Sequence, residues 1–250
     1  MDKLTMTNWS RPKSTAKRPL LGITILLVED SRYCSEALRL LSIRSGARLR
    51  RADCLKAARR HLRIYRPDVA VVDLGLPDGS GVEVIKDIMR DAMGATAIIA
   101  TSGDTGGQAR EDALAAGASF FMEKPISDLA CFQQTILGAL PDDMKPKGFI
   151  PRLAGSCVVP DSQAMKDDLD HINDLMGECV KKKDNELLSY AAQFLCSLGR
   201  DANSKRILQS SEKLKRFSKD KGFSGDAVRH EFQIIQSVVD SRLAQDLQVY

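Results

Sequence analysis

Between residues 22 and 141 short β-rich runs alternate five times with stretches of helical apolar period. The runs fall at residues 23–28, 47–51, 69–73, 96–101 and 119–122. The helical stripes between them are Cys34, Ala37, Leu38 and Leu41, then Leu55, Ala58, Leu62 and Tyr65, then Val82, Ile85 and Met89, then Ala109, Ala113 and Ala116. Leu129, Phe132, Ile136 and Leu140 follow the last run. Near-continuous apolar strands need cover on both faces, and helical crossovers supply it, so the expected fold is a doubly wound α/β domain with five parallel strands.

The pattern then changes. Residues 141–160 carry four of the nine prolines (Pro141, Pro146, Pro151, Pro160) with Gly148 and Gly155, the composition of a linker. Beyond it the strand signal ends, and four amphipathic stretches follow. Their stripes run through Met165, Leu169, Ile172, Met176 and Val180; Leu187, Leu188, Ala191, Leu195 and Leu198; Ile207, Ser211, Leu214 and Phe217; and Val228, Phe232, Ile235, Val239 and Leu243. The breaks at residues 183–185, 201–203 and 222–225 are short, so an all-α four-helix bundle with antiparallel neighbours is expected. The expected division is a flexible basic tail (1–20), an α/β domain (21–141), a linker (142–160) and the bundle (161–250).

Charge and cysteine usage narrow the function classes. The net charge of +4 resides in the tail, where Lys3, Arg11, Lys13, Lys17 and Arg18 face only Asp2; residues 21–150 and 151–250 each balance. Neither folded part is a basic module, which speaks against a nucleic-acid partner. Nine basic residues between positions 44 and 66, with Asp53 alone opposing them, read as a solvated face; a dock for an acidic partner is the minority reading. Cys34, Cys54, Cys131, Cys157, Cys179 and Cys196 are scattered, without the clustering of a disulfide framework or zinc site. The longest apolar run, residues 20–28, is far short of the ~20 residues of a membrane span. A reduced, cytoplasmic protein without a membrane partner is the expectation.

In an open parallel sheet, ligands bind beyond the carboxyl ends of the strands. Here those ends carry Glu29 and Asp30, Asp73, Thr101 and Ser102, and Lys124 followed by Pro125. Three crowded carboxylates repel one another, and Mg²⁺, which takes oxygen ligands, relieves that. A carboxylate beside Mg²⁺ can attack a phosphoryl group, with Lys124 neutralising its oxygens and the Thr101 hydroxyl bonding one of them. A solvated acidic edge with a stray lysine is the bland alternative, which the agreement of four strand ends disfavours.

The segments Leu27-Val28-Glu29-Asp30-Ser31, residues 72–81 (VDLGLPDGSG), Ala100-Thr101-Ser102-Gly103 and Met122-Glu123-Lys124-Pro125 resemble the receiver domain of two-component response regulators over residues 21–141. The resemblance implies the flavodoxin-like fold and a phospho-acceptor at Asp73. It implies Mg²⁺ held by Glu29, Asp30, Asp73 and the Gly75 carbonyl, a switch hydroxyl at Thr101, a phosphate-binding Lys124 and a cis Lys124–Pro125 bond. The family's switch aromatic falls on Phe121, for which simple core packing is the equal alternative, and the signalling face falls on residues 106–117 and 119–139. Glycine at 75 and at 103, two positions after Asp73 and Thr101, leaves no side chain to shield an acyl phosphate or orient water. A haloacid-dehalogenase-type phosphoaspartate enzyme would want a second acid where Gly75 stands.

Residues 188–199 (LSYAAQFLCSLG) are similar in pattern to the phosphorylated helix of histidine-containing phosphotransfer domains, over about residues 162–248. Gln193 stands where that family has its histidine, and a carboxamide cannot accept a phosphoryl group as imidazole does. The resemblance therefore implies a degenerate phosphotransfer-like domain that acts by contact. The expected function is that of a response regulator, not an enzyme beyond self-phosphorylation and autodephosphorylation. Its donor is expected to be a sensor histidine kinase or phosphotransfer protein, and its helical domain to bind a protein partner or a second copy. The alternatives are a phosphorelay protein with a displaced phospho-histidine at His171 or His230, and a transcriptional regulator with a helical DNA-binding output. His61, amid arginines, reads as an ordinary surface histidine.

Overall fold

The computed structural model describes residues 12–91, 96–103, 107–146, 155–220 and 223–246. Five parallel strands, β1 (Thr24–Val28), β2 (Arg48–Ala52), β3 (Val69–Asp73), β6 (Ala97–Ser102) and β7 (Phe120–Glu123), lie in the order β2-β1-β3-β6-β7. A small antiparallel hairpin, β4 (Gly75–Leu76) with β5 (Gly79–Ser80), follows β3. The strand order reverses at β1 and β3, so the carboxyl ends of those strands open a crevice.

Alternation along each strand divides the core in two. Ile25, Leu27, Val69, Val71, Ala97 and Ile99 pack under α1 (Arg32–Ser45) and α5 (Leu129–Ala139). Leu26, Val28, Ala70, Val72, Ile98 and Ala100 pack under α2 (Leu55–Ile64), α3 (Val82–Arg90) and α4 (Gly107–Ala115). β3, covered on both sides, is buried at every residue, whereas Arg48, Arg50 and Arg51 of the edge strand β2 are exposed. Charge on an edge strand discourages pairing with another sheet. Ser31 caps α1 by accepting from the Cys34 amide, and Gly46, at φ 89°, ends it in the left-handed conformation.

The second domain is the expected helical bundle: α6 (Ser162–Lys182), α7 (Asn185–Asp201), α8 (Lys205–Phe217) and α9 (Gly225–Asp246). Its core joins Ile172 and Met176 to Leu188, Leu195, Leu214, Phe232 and Ile235. Gly199 lets α7 and α8 approach closely, since a Cβ there would lie 2.9 Å from Ile207 Cγ2 and 3.1 Å from the Leu208 amide nitrogen. Tyr33, on α1 of the sheet domain, is buried in this helical core.

Of the tail expected over residues 1–20, residues 1–11 lie outside the described residues. Leu20 is fully buried under α1 and α5, and its amide donates to the Ser45 carbonyl at 2.9 Å; an apolar side chain beside the sheet holds it there. Residues 147–154 of the expected linker, residue 106 of the expected signalling face, residue 222 of the last expected break and residues 221 and 247–250 of the expected bundle also lie outside the described residues. Among the described residues no helix is long and apolar enough to cross a membrane.

Candidate functional site: a carboxylate cluster beneath the helical bundle

The strand ends bring Glu29, Asp30 and Asp73 together, with a carboxylate oxygen from each within 4.8 Å of the others. Lys124 enters from the end of β7 with its side chain fully buried, and its ammonium lies 2.7 Å from Glu29 and 3.3 Å from Asp73. Lys124 precedes Pro125 through the expected cis bond. Thr101, paired in register with Asp73, is buried, and its hydroxyl oxygen has no hydrogen-bond partner among the described residues. Phe121 is half-buried with the Arg110 guanidinium 5.9 Å from its ring centroid, while the neighbouring Phe120 is exposed.

The electrostatics follow from crowding. Burial raises the Asp73 carboxyl to about 7, and Glu29 adds to the rise while Lys124 opposes it. Burial, then Glu29 and Asp73, push Asp30 well above the ordinary carboxylate range. Burial works against the charge on Lys124, but Asp73 and Glu29 outweigh it and hold the amine firmly protonated. One ammonium thus faces three carboxylates. Three hard oxygen donors with a deficit of positive charge fit a divalent cation such as Mg²⁺, and the orphaned Thr101 hydroxyl fits an additional oxygen-bearing group.

The bundle lies over this cluster, which the sequence did not signal. The Tyr190 hydroxyl donates to Asp30 at 2.8 Å, and Lys124 donates to the Ser197 hydroxyl at 3.1 Å. Gln193 sits against Gly75, and Ser197 against Gly103. Asp168 of α6 accepts from the Ser31 hydroxyl (2.8 Å) and from the amides of Arg32 (2.8 Å) and Tyr33 (3.0 Å), holding α6 to the start of α1. Asp201, at the far end of α7, is raised to about 7, first by burial. The traces of these roles in the sequence are Gln193, singled out by the phosphotransfer resemblance, and Asp168, a carboxylate beside Leu169 on an apolar helical stripe.

Between the domains remains a cleft of about 400 Å³, lined by Glu29, Asp30, Asp73, Gln193, Ser197 and Arg200 among others. His171 is exposed and lines a neighbouring cleft with Asp30 and Tyr190. His230 is exposed on α9, and His61 lies 3.1 Å from the Arg51 carbonyl oxygen.

Comparison with known proteins finds relatives of the sheet domain. Residues 25–135 match the model of the response regulator receiver domain. The KDP operon transcriptional regulatory protein KdpE of Escherichia coli is 33% identical over 101 residues, 40% of this chain and 44% of that protein. The virulence transcriptional regulatory protein PhoP of Salmonella typhimurium is 30% identical over 101 residues, 40% of this chain and 45% of that protein. The chain therefore spans less than half the length of these curated relatives. Among solved structures, the receiver domain of a Pseudomonas aeruginosa sensor histidine kinase, with a magnesium ion in its active-site cleft, is 25% identical. It aligns with 47% of this chain and 96% of its own at a TM-score of 0.44. A CheY-like receiver from Methanospirillum hungatei, 20% identical, aligns with 49% and 95% at 0.45. With a matching family model, the strand order reversing at β1 and β3, and the acidic cluster at that reversal, residues 25–135 are a CheY-like receiver domain of the response-regulator family.

Proposed function

We propose that the chain is a two-component response regulator that accepts a phosphoryl group on Asp73 in a Mg²⁺-dependent reaction. The observation that carries this reading is the meeting, at one strand-end crevice, of three carboxylates, the buried Lys124 ammonium and the unpartnered Thr101 hydroxyl. Glu29, Asp30, Asp73 and the Gly75 carbonyl are the ligands that would hold Mg²⁺, which supplies charge neutralisation at the phosphoryl oxygens. An Asp73 carboxylate oxygen attacks phosphorus, the new O–P bond forms, and the bond to the donor breaks with its electrons leaving on the donor. Lys124 and Thr101 each hold one phosphoryl oxygen, and Phe121 carries the change toward residues 106–117 and 119–139.

The donor on this reading is a sensor histidine kinase or phosphotransfer protein. Residues 21–141 are the receiver, residues 142–160 the linker, and residues 161–250 a degenerate phosphotransfer-like bundle in which Gln193 replaces the phospho-histidine. The bundle signals by contact with a protein partner or with its own receiver. Its balanced charge supports contact with protein rather than the transcriptional role named for the relatives. Incubation with Mg²⁺ and acetyl phosphate, followed by intact-mass measurement and peptide mapping, tests the reading. Alkali-labile phosphate on residue 73, absent from Asp73→Asn, is expected. A chain unmodified by acetyl phosphate and by kinases alike overturns it.

A further inference from the structure

We infer that the bundle is a built-in phosphatase of its own receiver, with the Gln193 carboxamide presenting the water that hydrolyses the phosphoryl group. The inference rests on Asp73 being the phospho-acceptor and extends that reading to how the signal ends.

Two glycines make the case. Gly75 and Gly103 stand two residues after Asp73 and Thr101, beside the cleft, and neither has a side chain to order water. Both gaps are filled from α7. A Cβ at position 75 would stand 2.5 Å from Gln193 Nε2. A Cβ at position 103 would stand 2.9 Å from Ser197 Cα and 3.0 Å from its Oγ. Tyr190 on Asp30 and Ser197 on Lys124 fix the same helix at two further points of the cluster. Residues 191, 192, 194 and 195 are buried in the bundle, so Gln193 projects from a rigid helix while itself exposed to the cleft.

The cleft of about 400 Å³ has room for water as well as a phosphoryl group, a water occupying roughly 30 Å³. A carboxamide offers one acceptor oxygen and two N–H donors and carries no charge. Its oxygen can accept a hydrogen bond from water while its N–H donates to a phosphoryl oxygen, and a glutamine orients the attacking water in other phosphoryl-transfer sites. Attack is in line with the bond to Asp73. The water oxygen bonds to phosphorus, the P–O bond to Asp73 breaks, and its electron pair restores the carboxylate. The water's proton leaves with inorganic phosphate or to solvent.

The test loads the full-length protein with Mg²⁺ and acetyl phosphate, removes the donor by rapid desalting, and follows phosphate on Asp73. Gln193→Ala is expected to slow its loss about tenfold, within the range that mispositioning of a reacting group produces. Gln193→Glu, similar in shape but without N–H donors, is expected to be equally slow; wild-type decay in this variant would mean the residue only packs. Gly103→Val, a wedge against α7, is expected to slow loss as well, and Gln193→Ala is expected to add nothing in that background. Oxidation of a Gly103→Cys, Ser197→Cys pair reports docking without any phosphorylation, because the two Cβ positions need open by only about half an ångström to reach disulfide geometry. Decay unchanged or faster in Gln193→Ala, or a pair that does not cross-link, overturns the inference and leaves the receiver reading standing. Phosphate that accumulates only in Gln193→Ala supports the inference. Cross-linking without phosphate on Asp73 in any variant overturns both.

Discussion

Asp168 offers the sharpest handle on the union of the two domains. Its carboxylate sits on α6, and all three of its hydrogen-bond donors sit at the start of α1, so the cluster stabilises docking rather than either domain alone. A hydrogen bond to a charged group is worth about 1.5–3 kcal/mol, so three come to roughly 5–9 kcal/mol gross. Against that stands the cost of keeping the carboxylate out of water, several kcal/mol, visible in the upward displacement that burial imposes on its pKa. Asp168→Ala is therefore expected to weaken docking by a net ~2–4 kcal/mol. That raises the open population by between one and three powers of ten. Ser31 still caps α1 through the Cys34 amide, so the sheet domain itself is expected to keep its fold. Hydrogen exchange reads the result directly. Amides of residues 32–33 and of the face of α7 carrying Tyr190 and Ser197 exchange faster, while β3 stays protected. Asp168→Asn, retaining one acceptor oxygen, is expected to fall between. Unchanged exchange at residues 32–33 in a normally folded Asp168→Ala protein would refute the reasoning.

Lys124→Ala leaves Glu29 and Asp73 buried without their counter-charge, and a loss of about 3–5 kcal/mol in urea unfolding is expected; a loss under ~1 kcal/mol contradicts the ion-pair account. Asp73 and Asp201 are both held up at about 7 in the fold. A carboxyl raised on folding contributes stability that is complete below its unfolded pKa near 4 and lost as pH climbs through 7. Thermal midpoints measured without divalent cations are therefore expected to fall between about pH 4 and pH 7 and to level off above that, and millimolar MgCl₂ to reverse part of the fall at the upper end; a flat profile rejects the coupling. Phe132, fully buried between α5 and the sheet, is expected to cost about 3–5 kcal/mol as Phe132→Ala; a midpoint within error of wild type would show that the site can collapse around the lost ring.

The sheet and its acidic edge were legible because each is a local pattern. Runs of apolar residues announce buried strands, and a carboxylate after such a run stands at a strand end. The expected strands fall within about two residues of those in the structure, and Glu29, Asp30, Asp73, Thr101 and Lys124 converge. Helical period likewise announced α6 through α9. Their placement was not legible, because the union of the domains is written in isolated residues. Asp168, Tyr190 and Ser197 each sit on a helix whose period would be the same without them. Gly75 and Gly103 showed in sequence only as missing side chains; what fills the space comes from positions 118 and 94 residues further along. Leu20 falls in the expected tail because Pro19 before it and Gly22 after it separate it from the first strand, and two residues carry no period of their own.

The segment just before α6 sets the terms on which the bundle competes with other molecules. The Val158 amide donates to the Ser127 carbonyl at 2.9 Å, the Leu129 amide donates to Ser156 at 3.1 Å, and Val158 is buried under α1 and α5. The free leash thus begins at Val158, and α6 begins at Ser162. Four residues reach at most about 14 Å. A tether that short confines the bundle to the neighbourhood of the strand ends, where its effective concentration is of millimolar order. A protein partner present at micromolar concentration with equal intrinsic affinity is outcompeted about a thousandfold, equivalent to ~4 kcal/mol. On the proposed reading, access to Asp73 is thereby graded by size: a small phosphoryl donor need only enter the cleft, whereas a protein donor must first displace a neighbour that never diffuses away.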